Sequence, residues 1–271
     1  MSTAVQITWG LALIVMILGP VALATWFWRR FGVKPGAFLL GALVFLVSQL
    51  ILRAPIVALV QSRLGDAVSQ GTPLILYLAG LAFSAGLFES CGRWAGYRWF
   101  FRPRLPYDWA HAVAYGIGHG GFESAVYVGV MSALSFVQGI ALTSMTPEQL
   151  ANSASGDTLT QALQAREMFA QMTWDQPLLA AVERIGTVPL HIALSLVVLQ
   201  VFTRKQPIYL LYAVLLHGLA DSTAVMLNYV LKAPNWVTEL GVLAWGAASV
   251  WYICHRYRQE QSSLLTTQEA G

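Results

Sequence analysis

Four groups of ionisable side chains interrupt long apolar stretches of this sequence. Three are pairs spaced four residues apart and the fourth is a short cluster: Glu89 with Arg93, His119 with Glu123, His217 with Asp221, and Glu183 and Arg184 with His191. Residues four apart lie one above the other on a helix, so each pair points its polar groups in one direction. An ionisable side chain costs about 2.5–3.5 kcal/mol at the centre of a membrane helix. We therefore expect the four groups to share one buried polar site.

Histidines and carboxylates gathered in one site are the ligands that catalytic zinc uses, with one coordination position left for water. The histidines of this set are His119, His191 and His217. A nearby glutamate can act as a general base toward water, and the set indicates a metal-dependent hydrolase. The same residues leave two other classes open: an ion- or proton-coupled transporter with a proton relay, and a noncatalytic scaffold that keeps the polar core to hold its helices.

The composition of the chain is that of a membrane protein, so membrane helices must position these residues. Of 271 residues, 56% are hydrophobic and 11% are charged, and the mean hydropathy is +0.58. Average soluble domains are about 25% charged, and a membrane-spanning helix needs roughly 20 apolar residues. We predict one all-α, polytopic membrane domain over residues 1–271, with seven spans near 7–28, 36–60, 74–97, 109–136, 177–203, 207–231 and 236–255.

The basic residues predict the orientation of the helices. The first, third, fifth and seventh spans are each followed by basic residues: Arg29, Arg30 and Lys34; Arg98, Arg102 and Arg104; Arg204 and Lys205; and Arg256 and Arg258. The alternate connections hold only Arg63, Arg166 and Lys232. The positive-inside rule then places the N-terminus outside and the C-terminus in the cytoplasm of a multi-pass protein of the cell membrane. No basic cluster with interleaved aromatics suggests nucleic acid.

Residues 138–176 form the one long connection, and we expect it to lie outside the cell as a lid or a structural cap. Thr146, Pro147 and Gln149 read as an N-cap, a proline at the first helical position and a capping-box residue. Short helices are therefore expected inside this segment.

Glycines surround one of the candidate ligands. Gly116, Gly118, Gly120 and Gly121 flank His119. This density predicts either close approach of a second helix or local unwinding of this one.

Taken in order, the motifs resemble those of the YhfC family of intramembrane metalloproteases, which is related to the PrsW proteases and the type II CAAX prenyl endopeptidases. The segments that carry the resemblance lie from the third to the sixth predicted span: Phe88–Arg93, His119–Glu123, Glu183 and Arg184 followed by His191, and His217–Asp221. The resemblance implies a helical membrane protease that hydrolyses a peptide bond in or near the membrane. The implied surroundings are the lipid bilayer and a peptide or membrane-protein substrate.

The resemblance also implies a role for each residue. Glu89 would be the base that activates water, with Arg93 as its orienting partner and Glu123 as a further active-centre carboxylate that ligates or orients. The implied ligands of a zinc ion, or electrophiles, are His119, His191 and His217. The implied supporting residues are Asp221, which orients a histidine, and Glu183 with Arg184, which form an ion pair that braces the fifth span.

Overall fold

The computed structural model describes residues 1–102 and 104–269, and over these ranges the protein is helical. The membrane-length helices are α1 (Thr3–Phe31), α2 (Gly36–Val68), α3 (Gly71–Phe101), α4 (Trp109–Ser144), α7 (Asp175–Thr203), α8 (Ile208–Val230) and α9 (Asn235–Glu269). Two short helices, α5 (Pro147–Ser153) and α6 (Gly156–Gln171), separate α4 from α7. Each of the seven predicted spans is confirmed, and the protein is a multi-pass integral membrane protein.

The long connection is shorter than the sequence predicts. Helix α4 continues to Ser144, past the expected end of the span, because no helix breaker occurs before Pro147. The capping box forms as expected: the Thr146 hydroxyl accepts from the Gln149 amide at 3.3 Å, and the Gln149 side chain accepts from the Thr146 amide at 2.8 Å. Phe169 of α6 is buried against Trp9 of α1, so this connection packs on the helical bundle.

Helix α7 forms the centre of the bundle. In its most apolar stretch 72% of the residues are buried within the protein, whereas the values for the other six spans lie between 11% and 28%. Its sequence from Ile192 to Leu199 is nearly all apolar, without the polar stripe of a surface helix, and every residue of this run is buried. Helix α7 contacts α1, α4, α8 and α9, so a side chain on α7 can reach groups from several helices.

The glycines around His119 permit close packing, and the helix does not unwind there. Residues Trp109–Phe122 remain α-helical. A Cβ atom at Gly118 would lie 2.0 Å from the Phe38 carbonyl oxygen of α2, and one at Gly120 would lie 2.8 Å from the His191 Cβ of α7. Only glycine permits both approaches, so α4 can present His119 at short range to both neighbouring helices.

Five stretches of wider π-helical turn occur in the described residues, in α1, α2, α3, α4 and α8. Two of them contain buried or half-buried polar side chains that meet in the bundle: Leu46–Arg53 in α2 and Glu123–Gly129 in α4. Such turns are rare in helices and are frequent at functional sites. Here the first contains Gln49 and Arg53, and the second begins at Glu123.

Candidate active site

Glu89 lies at the centre of the buried polar groups, with only 2% of its surface exposed. Its Oε2 atom is 2.9 Å from Nε2 of His119 and 3.3 Å from Nη2 of Arg93. Its Oε1 atom accepts a hydrogen bond of 2.7 Å from the side-chain amide of Gln49. Each carboxylate oxygen therefore has its own donors, and the orientation of the carboxylate is fixed from α2, α3 and α4 together.

Gln49 and Arg53 were not among the residues expected from the sequence. The Arg53 guanidinium donates to Gln49 Oε1 at 3.0 Å, to the Ser84 hydroxyl at 3.0 Å and to the Leu81 carbonyl at 2.7 Å. Arg53 thus fixes the side-chain amide of Gln49, which in turn positions the Glu89 carboxylate. A signal for both was present, since Arg53 lies inside an apolar span and follows Gln49 by four residues, as in the other pairs.

His191 connects the two glutamates of the site. Its Nδ1 atom is 2.7 Å from Nη2 of Arg93, and its Nε2 atom is 2.6 Å from Oε2 of Glu123. A guanidinium can only donate hydrogen bonds, so Nδ1 of His191 is the acceptor and the proton of the neutral ring is on Nε2. This tautomer faces the carboxylate of Glu123, which has 18% of its side chain exposed and is the more accessible of the two glutamates.

Arg184 extends the chain of contacts beyond Glu123. Its Nη1 atom donates to Glu123 Oε1 at 3.0 Å, and Nη2 pairs with Glu183. The expected pair of neighbouring residues is present, but Arg184 also binds a carboxylate of another helix. The Glu123 side chain is therefore held between His191 and Arg184 and forms no ion pair with the side chain of His119, its partner in the sequence pattern.

His217 lies at the edge of the same cluster. Its Nε2 atom is 3.4 Å from Oδ2 of Asp221, and its Nδ1 atom is 3.8 Å from Oε2 of Glu89. The ring packs edge-on against His191 with 5.3 Å between the ring centroids. Asp221 therefore lies within ion-pair distance of a histidine that faces Glu89 without a hydrogen bond to it.

The donors nearest one another are Glu89, His119 and His191. One ligand atom from each lies within 4.8 Å of the others, and all three residues are buried. Two imidazoles and one carboxylate are a ligand set that zinc uses in catalytic sites. Nδ1 of His217 faces Glu89 at 3.8 Å and is buried without a hydrogen-bond partner among the described residues, as expected of a nitrogen that can bind a ligand. The residue types therefore fit a metal ion, and in this structure Arg93 Nη2 occupies the Nδ1 lone pair of His191 at 2.7 Å.

The geometry differs in one respect from the ligand set implied by the resemblance. That set contained three histidines with Glu89 beside them, whereas the close group contains Glu89 itself and does not include His217. His217 lies farther from Glu89 than His119 and His191 do.

Over residues 14–242 the chain matches the family described as YhfC intramembrane metalloprotease. It belongs to this family. An uncharacterized membrane protein, YhfC, of Bacillus subtilis (strain 168) is 32% identical over 240 residues, which cover 88% of this chain and 91% of that protein. No solved structure matches the chain. The range of the YhfC match includes every residue of the buried cluster, from Gln49 to Asp221.

Proposed function

We propose that this protein is an intramembrane peptidase that hydrolyses a peptide bond in or near the membrane. The observation that carries the proposal is the buried group of Glu89, His119 and His191, whose ligand atoms lie within 4.8 Å of one another. The description of its family supports the same activity. The resemblance of its motifs implies a relation to the PrsW proteases and the type II CAAX prenyl endopeptidases, which supports the same proposal.

Glu89 is the proposed general base, which takes a proton from the attacking water at a carboxylate oxygen. Gln49 and Arg93 hold that carboxylate in place through hydrogen bonds of 2.7 Å and 3.3 Å. A base fixed in this way needs no reorientation when the proton moves, which preserves the geometry that the reaction requires.

Glu123 and His191 form a second pair in the proposed centre. Oε2 of Glu123 lies 2.6 Å from Nε2 of His191. This carboxylate holds the imidazole so that Nδ1 faces Glu89 and Arg93, as the carboxylate of a hydrolase triad orients its histidine. Arg184 keeps Glu123 in this position from the other side.

Zinc is the proposed metal, held by His119 and His191 with His217 as the adjacent histidine, while Glu89 stays free of the metal as the base. When bound, it would supply Lewis acidity toward water and toward the peptide carbonyl. The carboxylates Glu123 and Asp221 would then orient histidines of the centre, an arrangement that commonly strengthens a metal site.

Cleavage in proteoliposomes tests the proposed activity. Purified protein is mixed with a library of membrane-spanning peptides, and products are identified by mass spectrometry. We expect wild type to cleave and Glu89→Gln to be at least about 100-fold slower, the usual size of a general-base contribution. Glu167→Gln, on the exposed surface of α6, is the matched control and retains wild-type cleavage. Equal rates for wild type and Glu89→Gln would refute the assignment of Glu89.

Metal content tests the zinc proposal separately from cleavage. Protein purified in detergent is analysed for metal per chain, with His119→Ala beside the exposed His255→Ala as the matched control. We expect about one zinc per chain in wild type and in His255→Ala, and loss in His119→Ala. If the protein cleaves peptides but holds no metal after zinc reconstitution, the metal assignment is overturned. The activity would then depend on a glutamate without a metal.

The proposed orientation has the N-terminus outside and the C-terminus in the cytoplasm. The ends of α1, α3, α7 and α9 that are followed by basic residues then share the cytoplasmic face. In this orientation α5 and α6 lie outside the cell, where they would act as a lid or a structural cap.

A further inference from the structure

A cavity of about 450 Å³ lies between the ends of α7, α8 and α9, away from the buried carboxylate and histidine cluster. Arg204 of α7, Tyr209 of α8 and Arg256 of α9 are among the residues that line it. Its volume is in the usual range of small-molecule sites, which is about 300–1,000 Å³. Because the end of α7, the start of α8 and the end of α9 meet there, the cavity lies at one face of the membrane domain.

The lining of this cavity is positively charged. None of its lining residues is acidic. Arg204 donates to the Tyr209 hydroxyl at 3.0 Å, and Arg256 donates to the Gln259 side chain at 2.6 Å; in the described ranges neither arginine is within ion-pair distance of a carboxylate. The acidic residue one turn beyond Arg256 is Glu260, and it accepts from the Trp109 amide instead.

One nitrogen of Arg256 has no partner at all. Its Nε atom is buried and makes no hydrogen bond to any described residue. A buried donor without an acceptor is unfavourable, because it has lost its hydrogen bond to water and gained no other. An anion bound in the cavity would supply the missing acceptor.

One part of the wall is apolar. It includes Val197 of α7 with Leu215 and Leu216 of α8, and the two leucines are exposed at the surface of the bundle. In a membrane this surface faces lipid tails. The site therefore combines two guanidinium groups at the end of the helices with an apolar wall directed toward the bilayer.

We propose that this cavity binds an anionic phospholipid, with the phosphate between Arg204 and Arg256 and an acyl chain along Leu215 and Leu216. Guanidinium groups form strong, charge-assisted hydrogen bonds to phosphate oxygens. Basic pockets between membrane helices at the cytoplasmic side suit anionic lipid headgroups. A free phosphate group would satisfy the arginines but would leave the apolar wall uncovered, so the lipid is the occupant that uses the whole site.

The test is thermal unfolding of the full chain in an uncharged detergent, titrated separately with phosphatidylglycerol, phosphatidylcholine and inorganic phosphate. A ligand that binds only the folded protein raises the unfolding temperature with its concentration. We expect a saturable rise with phosphatidylglycerol and a much smaller one with the other two. Arg204→Gln and Arg256→Gln each weaken this binding about fivefold, as removal of one basic contact to an anionic lipid predicts.

Arg258→Gln is the matched control, because it removes the same charge from the same end of α9 at a residue that does not line the cavity. It should bind phosphatidylglycerol as wild type does. Leu215→Trp, which obstructs the apolar wall without changing charge, should also weaken binding if either arginine variant fails to fold. Equal responses to phosphatidylglycerol and inorganic phosphate, or equal weakening by Arg258→Gln, would overturn the proposal.

Discussion

Nη2 of Arg93 lies 2.7 Å from Nδ1 of His191, so a permanently charged guanidinium occupies the lone pair that His191 would otherwise offer to a metal. The same Nη2 atom is 3.3 Å from Oε2 of Glu89. Arg93 therefore binds two of the three members of the close ligand group. A metal ion that coordinates His191 through Nδ1 must displace this contact, and Arg93 is thereby both the counterion of Glu89 and a competitor of the metal.

Arg93→Gln should lower the free energy of unfolding by about 3–5 kcal/mol, because it leaves the carboxylate of Glu89 buried without its cation. Arg98→Gln, on the exposed surface of the same helix, should change it by less than about 0.5 kcal/mol. Denaturant unfolding in detergent measures both values. Similar stabilities for the two variants would show that Arg93 is not the counterion that holds Glu89.

Gln49→Leu should reduce cleavage about 10–100-fold, the usual effect of removing a hydrogen-bond partner of an active-site ligand. The substitution removes the 2.7 Å hydrogen bond to Glu89 Oε1 and leaves Arg93 in place. The control is Gln61→Leu, at an exposed position of α2. Cleavage rate and metal content are measured together, and an unchanged rate in a folded Gln49→Leu protein would contradict a positioning role.

Gly118→Ala should destabilise the protein by about 1–3 kcal/mol, because its Cβ would lie 2.0 Å from the Phe38 carbonyl oxygen. Gly80→Ala is the matched control, since no atom lies within 4 Å of its new Cβ. Replacing glycine with alanine inside a helix is otherwise favourable by about 0.8–1.0 kcal/mol. Thermal unfolding should therefore shift in opposite directions for the two variants, and a shared direction would argue against close packing of α2 on α4.

Asp221→Asn should reduce cleavage about 10–100-fold, because His217 loses the carboxylate that orients it at 3.4 Å. Asp157→Asn, exposed on α6, is the control. The comparison is made on the rate at saturating peptide and on the unfolding temperature. A slow rate with a normal unfolding temperature supports the proposal that Asp221 orients His217. Wild-type activity in Asp221→Asn would show that Asp221 has no role in catalysis.

The orientation is tested by labelling single cysteines in a variant that lacks Cys91 and Cys254. Asp157→Cys lies on α6 and Gln206→Cys lies between α7 and α8, and both positions are exposed. A membrane-impermeant maleimide should label the first in intact cells and the second only after permeabilisation. The reverse pattern would invert the proposed topology.

Much of the fold could be predicted because a helix that spans a membrane needs about 20 residues that are mostly apolar. All seven spans were predicted, and the largest errors lie at helix ends, since α2 continues to Val68, α4 to Ser144 and α9 to Glu269. The helix start at Thr146 followed from local hydrogen-bonding groups. The sequence does not predict Gln49 and Arg53 as site residues, although they have the spacing of the other pairs, because neither is a histidine or a carboxylate that could bind a metal.

Which side chains share a helix face follows from the sequence alone, because it depends only on the helical repeat of 3.6 residues. The sequence therefore groups His119 with Glu123 and His217 with Asp221. Which of these groups touch across helices follows only from the packed bundle: the Glu123 side chain lies against His191 and Arg184, while the His119 side chain lies against Glu89. These contacts depend on the rotation and depth of each helix, which are set by long-range packing such as that of α2 and α7 on the glycines of α4.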